Sequence, residues 1–353
     1  GGGVNRNVII NGSTNVAQRS VSQTSITGTA NAYYVQDRWR VNINSSGALT
    51  QTQDSSAPSG FANSIKLDCT TADTSIASTE LLILHQRIEG QNLQGFAKGT
   101  SDAKPFAVSF YVKGNASATY CCGLRDRDND RTAGKLFNVT TDWTRVELTF
   151  DADTTGAFDD NDEASLDLEI WLHAGSNYTS GTLNNTFASR TNANRAVGIS
   201  SFFDSTDRTF FITGVQLEVG QNPTEFEHIP FEKELLSCRR YYHKIDSSDS
   251  IYQRLGQGQA YSNDDALLFF HHVPEMRGIP TLDHGTLDNL AVGLSGLTAK
   301  SMGSLTIDTN TDGANTTCLI AGDVTGDGLS AGNVVQIFSN NNSNGYIAFK
   351  AEL

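Results

Sequence analysis

Proline, charge and long apolar runs are all scarce in this sequence. Six of the 353 residues are proline and 18% are charged. A membrane-spanning helix needs about 20 consecutive apolar residues, and because no such run occurs we expect no membrane insertion. Acidic residues outnumber basic ones and the formal net charge is -14, a sign that repels phosphate backbones. We therefore expect no nucleic-acid partner.

Cysteine is also scarce and forms no motif. The five cysteines are Cys69, Cys121, Cys122, Cys238 and Cys318. Their number is odd, and no two of them have the spacing of a zinc-binding pair. We predict buried thiols rather than a disulfide framework or a zinc site.

Alternation with a period of two residues is the dominant pattern. It occurs in FAVSFYV (106–112), RVELTF (145–150), SLDLEIWLHAG (165–175) and FITGVQLEV (211–219). In the last segment it predicts that Phe211, Val215, Leu217 and Val219 face the interior. Such alternation indicates half-buried antiparallel strands. We predict an all-β protein in which residues 1–230 form a β-sandwich.

One segment, FEKELLSCRRYY (231–242), has the features of a helix. Pro230 precedes it, and Glu232 and Glu234 lie in its first turn. Arg239 and Arg240 follow in the last turn, an order of charges that complements the helix dipole. We predict a short helix within residues 231–244, which connect the sandwich to a second domain.

The remaining residues, 245–353, alternate more loosely. Strands are predicted at ALLFFHHV (266–273), NLAVGLSGL (289–297), NVVQIFS (333–339) and GYIAFKAEL (345–353). A β-domain of this length has a thin core. Oligomerisation would cover apolar faces that a monomer leaves exposed.

Several short segments carry a resemblance to known proteins. In order, they are NRNVIINGSTNVAQR (5–19), DRW (37–39), QRIEG (86–90), SFYVKG (109–114), WTRVELTF (143–150), GVQLEVGQNPTEFE (214–227) and CRRYYHK (238–244). This ordered set resembles a recurrent module of tailed-phage virion proteins, often the distal part of tail fibres. NVIING and FITGVQLEVG also resemble the first and last strands of jelly-roll carbohydrate-binding modules attached to glycoside hydrolases.

The resemblance implies a jelly-roll sandwich and a non-catalytic structural protein on the phage virion. The expected role is that of a tail fibre or receptor-binding component that attaches to a host surface glycan. Other virion proteins are expected partners, and a homotrimer is the expected assembly, with the C-terminal domain serving trimerisation, receptor contact or both. The resemblance requires no cofactor and implies one structural calcium near the N-terminal strand.

Two alternative functions remain open. A capsid head fibre or decoration protein would share the fold, and a polysaccharide depolymerase could carry the sandwich as an accessory module. No GxSxG, HExxH or GxxxxGK[ST] motif occurs, so we predict no catalytic residues. A repeat of solenoid length is also missing, which disfavours the depolymerase.

The polar face of the SLDLEIWLHAG segment is a candidate glycan-binding surface. Sugar rings stack on aromatic side chains, while charged groups bind their hydroxyls. The candidate residues on polar strand faces are Asp167, Glu169, Trp171, His173, Tyr111 and Arg145. The alternative is that a loop or a neighbouring subunit covers this face and that Trp171 is simply packed.

The RDRDNDR segment is a candidate calcium site. Asp126, Asp128 and Asp130 alternate in sequence, and oxygen ligands at every second residue can gather around Ca²⁺. Arg131 stands where an EF-hand loop has its glycine. The alternative is an acidic turn whose charge is balanced by the neighbouring arginines.

Overall fold

The computed structural model describes residues 5–294, 299–309, 313–324 and 329–353. The chain divides into two units, the first comprising residues 1–234 with Leu353 and the second comprising residues 235–352. The described structure is nearly all β, which confirms the predicted fold class. No described helix combines the length and the apolar character needed to cross a membrane.

The first unit is an antiparallel sandwich. Its strands are β1 (Ser22–Tyr33), β2 (Arg40–Asp54), β3 (Ser64–Thr71), β4 (Leu81–Glu89), β5 (Phe106–Gly114), β6 (Ala118–Asp126), β7 (Arg131–Val139), β8 (Thr144–Phe150), β9 (Ala164–Ala174), β10 (Ala188–Ser189) and β11 (Thr209–Val219). They pair in the order β10-β7-β6-β9-β4-β2-β3-β11-β5-β8, and β1 pairs with β2.

Strand β2 joins the two layers of the sandwich. Its residues 40–44 pair with β4, whereas residues 48–54 pair with β3. Gly47 lies between these two parts, and a Cβ atom there would lie 2.7 Å from the ring of Phe203. The absence of a side chain at position 47 therefore allows the buried phenyl ring to pack at the point where β2 changes layers.

The alternation predicted from the sequence accounts for most of the core. Phe106, Val108, Phe110 and Val112 of β5 are fully buried between the layers, as are the leucines and Ile170 of β9. Full burial of one such side chain contributes about 1.5–3 kcal/mol. Because the leucines and Ile170 of β9 point inward, the residues between them lie on the outer face of the layer.

The prediction for β11 is wrong at both ends. Phe210 and Ile212 face the core, whereas Phe211 lies outside it and contacts Trp143 edge to face. The register shifts between Thr213 and Gln216, which is a β-bulge that reverses the order of inward and outward residues. Beyond the bulge the alternation is as predicted up to Leu217, but Val219 is 43% exposed.

Two α-helices are present in the described chain, α1 (Ser176–Thr179) and α2 (Phe231–Arg239). The 3-10 helices cover Gly90–Asn92, Gln94–Phe96, Asn192–Asn194, Phe202–Asp204 and Leu287–Asn289. Helix α2 lies in the segment predicted to be helical, with the acidic residues in its first turn and Arg239 in its last. It is shorter than the predicted segment because Tyr242 already begins the next strand.

The second unit contains two antiparallel sheets. Its strands are β12 (Tyr242–Asp246), β13 (Arg254–Ala260), β14 (Ala266–His271), β15 (Thr281–His284), β16 (Leu290–Leu294), β17 (Ser304–Ile307), β18 (Thr316–Gly322), β19 (Val334–Ser339) and β20 (Tyr346–Lys350). The orders are β12-β20-β15 and β16-β19-β13-β14-β18-β17. Strands β14, β16, β19 and β20 were predicted, although residues 295–297 of the predicted third segment lie outside the described residues. All five cysteines of the chain are buried and unbridged, as predicted.

Candidate functional site

A groove with a volume of about 230 Å³ lies on the outer face of the layer that contains β4, β6 and β9. Its floor includes His85 and Arg87 of β4, Arg125 of β6, and Asp167 and Glu169 of β9. Strand alternation explains this floor, because the residues between these positions point into the core. The groove therefore collects charged side chains on a face whose reverse side is apolar.

Strand pairing sets these residues side by side. Asp167 lies opposite Arg87 on one neighbouring strand and opposite Arg125 on the other. Glu169 lies opposite His85 and, on its other side, opposite Gly123. The register thus places Asp167 between two arginines that are distant from it in the sequence.

The walls of the groove come from separate parts of the chain. Asn31 of β1 and Asn42 of β2 form one side, together with Leu81 and Ile83 of β4. The other side belongs to the segment between β9 and β11, which contributes Tyr178, Arg190, Asn192 and Arg195. Arg127, which follows β6, completes the lining.

Both carboxylates of the floor have arginine partners. The Nη1 atom of Arg127 donates to Asp167 at 3.0 Å, and Arg195 donates to both oxygens of Glu169 at 2.7 and 2.8 Å. Burial raises the pKa of Asp167, and the charge of Glu169 adds to this effect. Burial also acts to raise the pKa of Glu169, but Arg195 outweighs it and the pKa is lowered.

His85 is a buried, neutral histidine at the groove floor. It is 4% exposed, and burial lowers its pKa to about 3. Neither ring nitrogen has a hydrogen-bond partner within the part of the chain that the structure describes. A neutral imidazole offers one donor and one acceptor, and the described chain uses neither of them in His85.

The structure corrects the predicted role of Trp171. This side chain is fully buried, with the ring of Tyr178 at 5.3 Å and the guanidinium carbon of Arg195 at 4.7 Å from its ring centroid. The segment between β9 and β11, residues 175–208, covers Trp171 and is called the covering segment below. Trp171 is therefore not exposed for stacking on a sugar ring. The alternative interpretation, a packed side chain beneath a covering loop, is correct.

The other predicted binding residues separate into different places. His173 is fully buried and its ring nitrogens contact Glu80 and Ser201 at 3.1 and 2.8 Å. Tyr111 and Arg145 lie opposite each other on β5 and β8, which belong to the other layer of the sandwich. Of the six residues, only Asp167 and Glu169 line the groove.

The three predicted calcium ligands do not converge. Asp126 is buried against Lys98 Nζ at 2.6 Å, Asp128 accepts a hydrogen bond from the backbone of Asp159, and Asp130 pairs with Arg190. In the described ranges no group of three or more potential metal ligands occurs. The acidic turn is therefore held by ion pairs and hydrogen bonds, which corrects the calcium interpretation.

Sequence reasoning missed most of the groove. The missed histidine and arginines share an outward position on strands or on the covering segment, and they are His85, Arg87, Arg125, Arg127, Arg190 and Arg195. Arg125 and Arg127 could have been found from the alternation pattern, because they flank the buried Asp126 and so point to the opposite face. The arginine on β4 and those of the covering segment carry no local signal, because only the strand order brings them together.

Comparisons with known proteins add likenesses in structure alone. No protein-family model and no curated protein matches the sequence. Similar solved structures include one described as "CBM4 structure and function", with 11% identity, 59% of this chain and 97% of that chain covered, and a TM-score of 0.31. A second similar structure is TmCBM61 in complex with β-1,4-galactotriose, with 10% identity, 61% of this chain and 99% of that chain covered, and a TM-score of 0.31. A third is the enzymatically active domain of bacteriophage CBA120 tailspike protein 4, with 14% identity, 61% of this chain and 21% of that chain covered, and a TM-score of 0.31.

Proposed function

We propose that this chain is a non-catalytic glycan-binding protein and that the groove on β4, β6 and β9 holds the end of a glycan. The observation that carries this proposal is the lining of the groove. Amides of Asn31, Asn42 and Asn192 face charged groups and the neutral His85 across about 230 Å³. That volume is below the roughly 300 Å³ at which sites for drug-sized ligands begin, which suits a small polyhydroxylated group.

Binding without catalysis fits the position of the two carboxylates. Hydrolysis of a glycosidic bond needs two carboxyl groups that flank the bond. Asp167 and Glu169 instead lie on the same face of one strand, and both oxygens of Glu169 accept hydrogen bonds from Arg195. Such a pair can orient hydroxyl groups but is poorly placed to act on both sides of one bond.

The biological setting that we propose is attachment of a phage virion to a host surface glycan. The ordered sequence segments that resemble tail-fibre proteins support it, and a head fibre or decoration protein is the alternative. Exposed apolar side chains in the second unit favour self-association, since association would bury them, and the resemblance to tail-fibre proteins makes a trimer the proposed assembly. They are Tyr261, Val273, Ile279 and Val334, each at least 63% exposed.

The glycan proposal is tested with the full chain on a panel of immobilised bacterial surface polysaccharides. Asn42→Trp places a large ring at the groove wall and is expected to abolish binding. Asn138→Trp is the matched control, because Asn138 is exposed on β7 and outside the groove lining. Circular dichroism must show that both variants are folded. Equal binding by the two variants would exclude the groove as the site.

Assembly is tested by light scattering after size exclusion. A solution mass near three times 38.1 kDa is expected for a trimer. A monomer at micromolar concentration would contradict the proposed self-sufficient trimer without affecting the glycan proposal.

A further inference from the structure

We propose that the groove selects glycans that carry a carboxylate, and that Arg87 and Arg125 bind this group. The inference rests on the glycan-binding function proposed above and specifies the class of its ligand. It depends on the charges of the groove, on which arginines already have partners, and on the position of His85.

The groove has the opposite charge to the chain as a whole. Its lining holds five arginines against two carboxylates, and these residues are Arg87, Arg125, Arg127, Arg190, Arg195, Asp167 and Glu169. The chain carries a formal net charge of -14. A cationic groove on an acidic protein attracts anions locally while the remaining surface repels them. A neutral sugar would gain no attraction from this net charge.

Three of the five arginines are occupied. Arg195 binds Glu169, and Arg127 binds Asp167 at 3.0 Å. Arg190 is paired with Asp130, and its Nη1 atom donates to Asn192 at 2.9 Å. These contacts fix the carboxylates and the covering segment, so the three arginines hold the groove in shape.

Arg87 and Arg125 differ from the others because they lack hydrogen-bonded partners. The Nε atoms of both are buried and unpartnered within the described chain. The nearest ion-pair contact of Arg87 is 3.8 Å from Nε to Asp167, and Arg125 has no ion pair in the described ranges. Burial lowers the pKa of both guanidinium groups, and donors left unsatisfied in this way are costly. The Nη groups of both arginines also make no hydrogen bond within the described chain, and a ligand anion in the groove would bind them.

The geometry of the two side chains favours a carboxylate. Both arginines lie directly opposite Asp167, one on each neighbouring strand, so they converge on the same part of the floor. A guanidinium group presents paired donors that match the two oxygens of a carboxylate. Because Asp167 already accepts a hydrogen bond from Arg127, its charge is partly offset where the ligand would bind.

His85 precedes Arg87 by two residues on β4 and lies on the same face. Its ring is neutral, buried and without a partner among the described residues. It is suited to a hydroxyl group beside the carboxylate, since it can donate one hydrogen bond and accept another. A sugar ring that bears a carboxylate carries both groups at adjacent positions.

The test measures binding of the full chain to matched oligosaccharides by isothermal titration calorimetry. Each pair contains a neutral sugar and its C6 carboxylate counterpart, namely glucose and glucuronate, galactose and galacturonate, and mannose and mannuronate trisaccharides. Sulfated trisaccharides form a further arm. We expect one carboxylated member to bind about tenfold or more tightly than its neutral partner, with an affinity that falls as salt rises.

Variants locate the effect. Arg125→Gln is expected to weaken binding of the carboxylated ligand about tenfold or more, and Arg87→Lys is expected to weaken it while retaining the salt dependence. Lysine keeps the charge but loses the paired donors, so this variant remains informative if Arg125→Gln is unstable. Arg208→Gln removes an arginine charge outside the groove lining, at the ion pair with Asp204, and is the matched control that should bind normally.

The outcomes separate the two proposals. Preference for a carboxylated member that is lost in Arg125→Gln supports both. Equal or tighter binding of the neutral members overturns the carboxylate inference and leaves the glycan function standing. Equal binding of sulfated and carboxylated ligands also overturns it. Absence of binding to every member, by a folded protein, overturns the glycan function and the inference together.

Discussion

Arg195 donates from Nη2 to both carboxylate oxygens of Glu169 while its guanidinium carbon lies 4.7 Å from the ring centroid of Trp171. One side chain therefore neutralises a buried charge and covers a buried aromatic ring. Arg195 belongs to the segment between β9 and β11, whereas the other two residues belong to β9. This contact fixes the covering segment over the strand and forms one wall of the groove.

Removal of Arg195 should be strongly destabilising. Arg195→Ala leaves Glu169 buried without its main partner, and breaking a buried pair in this way costs about 3–5 kcal/mol. Urea unfolding monitored by circular dichroism measures the change. Arg208→Ala is the control, because its partner Asp204 is 42% exposed and exposed ion pairs contribute about 0.2–1 kcal/mol. Similar losses of unfolding free energy in both variants would show that burial does not strengthen the ion pair between Arg195 and Glu169.

Trp171 is expected to matter for stability rather than for direct ligand contact. Trp171→Ala removes a fully buried indole from the cluster with Ile83, Cys121 and Ala196, and such changes cost about 3–5 kcal/mol. Trp143→Ala, which removes a partly exposed ring, should cost less. Both are compared by urea unfolding. A stable Trp171→Ala protein that had lost glycan binding would restore the stacking role that its burial argues against.

Lys98 supplies a buried positive charge beside Asp126 of the acidic turn at residues 125–131. Its buried Nζ atom lies 2.6 Å from Asp126 and 3.1 Å from Asp153, and it donates to the carbonyls of Thr155 and Gly156. Lys98→Met should therefore cost about 3–5 kcal/mol. Lys66→Met is the control, since Lys66 also lies 3.1 Å from a carboxylate but both groups are more than a quarter exposed. Equal melting temperatures for the two variants would contradict the importance of burial.

Much of the fold follows from local pattern. The inward residues of β5 and β9 are predictable because strand alternation places them on the apolar face regardless of which strands are neighbours. The groove is not predictable in this way. Arg87 and Arg125 meet across Asp167 only because β4 and β6 flank β9, and that order is a property of the whole sandwich.

Burial of the outer face also lay beyond local pattern. Asp167 and Trp171 were correctly placed on one face, but alternation does not show what covers a face. The covering segment is irregular, and it is held by contacts such as the hydrogen bond from Ala196 to the carbonyl of Tyr178. A sequence of polar turn residues does not specify such contacts.

Gly214 lies within the β-bulge of β11, and we predict that replacing it lowers the stability of the protein. This residue has a φ of 63°, and a Cβ atom there would lie 2.7 Å from the ring of Phe61. Gly214→Ala therefore introduces both backbone strain and a steric clash, and a cost of about 1–3 kcal/mol is expected. Gly28→Ala is the control, because Gly28 has a φ of 71° but open space around it. A larger loss in Gly28→Ala would show that strain alone dominates and that the Phe61 contact is unimportant.

Asp73 should make stability depend on acid pH. Burial acts to raise its pKa, but hydrogen bonds from Ser46 and Ser45 outweigh burial and lower the pKa to about 2, from an ordinary value of 3.8. Because the folded-state pKa is lowered, the unfolded chain binds the proton more readily. The stabilisation by Asp73 is therefore complete above about pH 4 and is lost as the pH falls toward 2.

The measurement for Asp73 is the free energy of unfolding in urea at pH 7 and at pH 2.5. Asp73→Asn should be less stable than the native chain at pH 7, and the difference should shrink at pH 2.5 because the native carboxyl then loses much of its charge-dependent advantage. Asp68→Asn is the control, since Asp68 is more than a quarter exposed and its replacement should change stability little. A difference between Asp73→Asn and the native chain that stays constant from pH 7 to pH 2.5 would show that the hydrogen bonds to Ser45 and Ser46 do not depend on ionised Asp73.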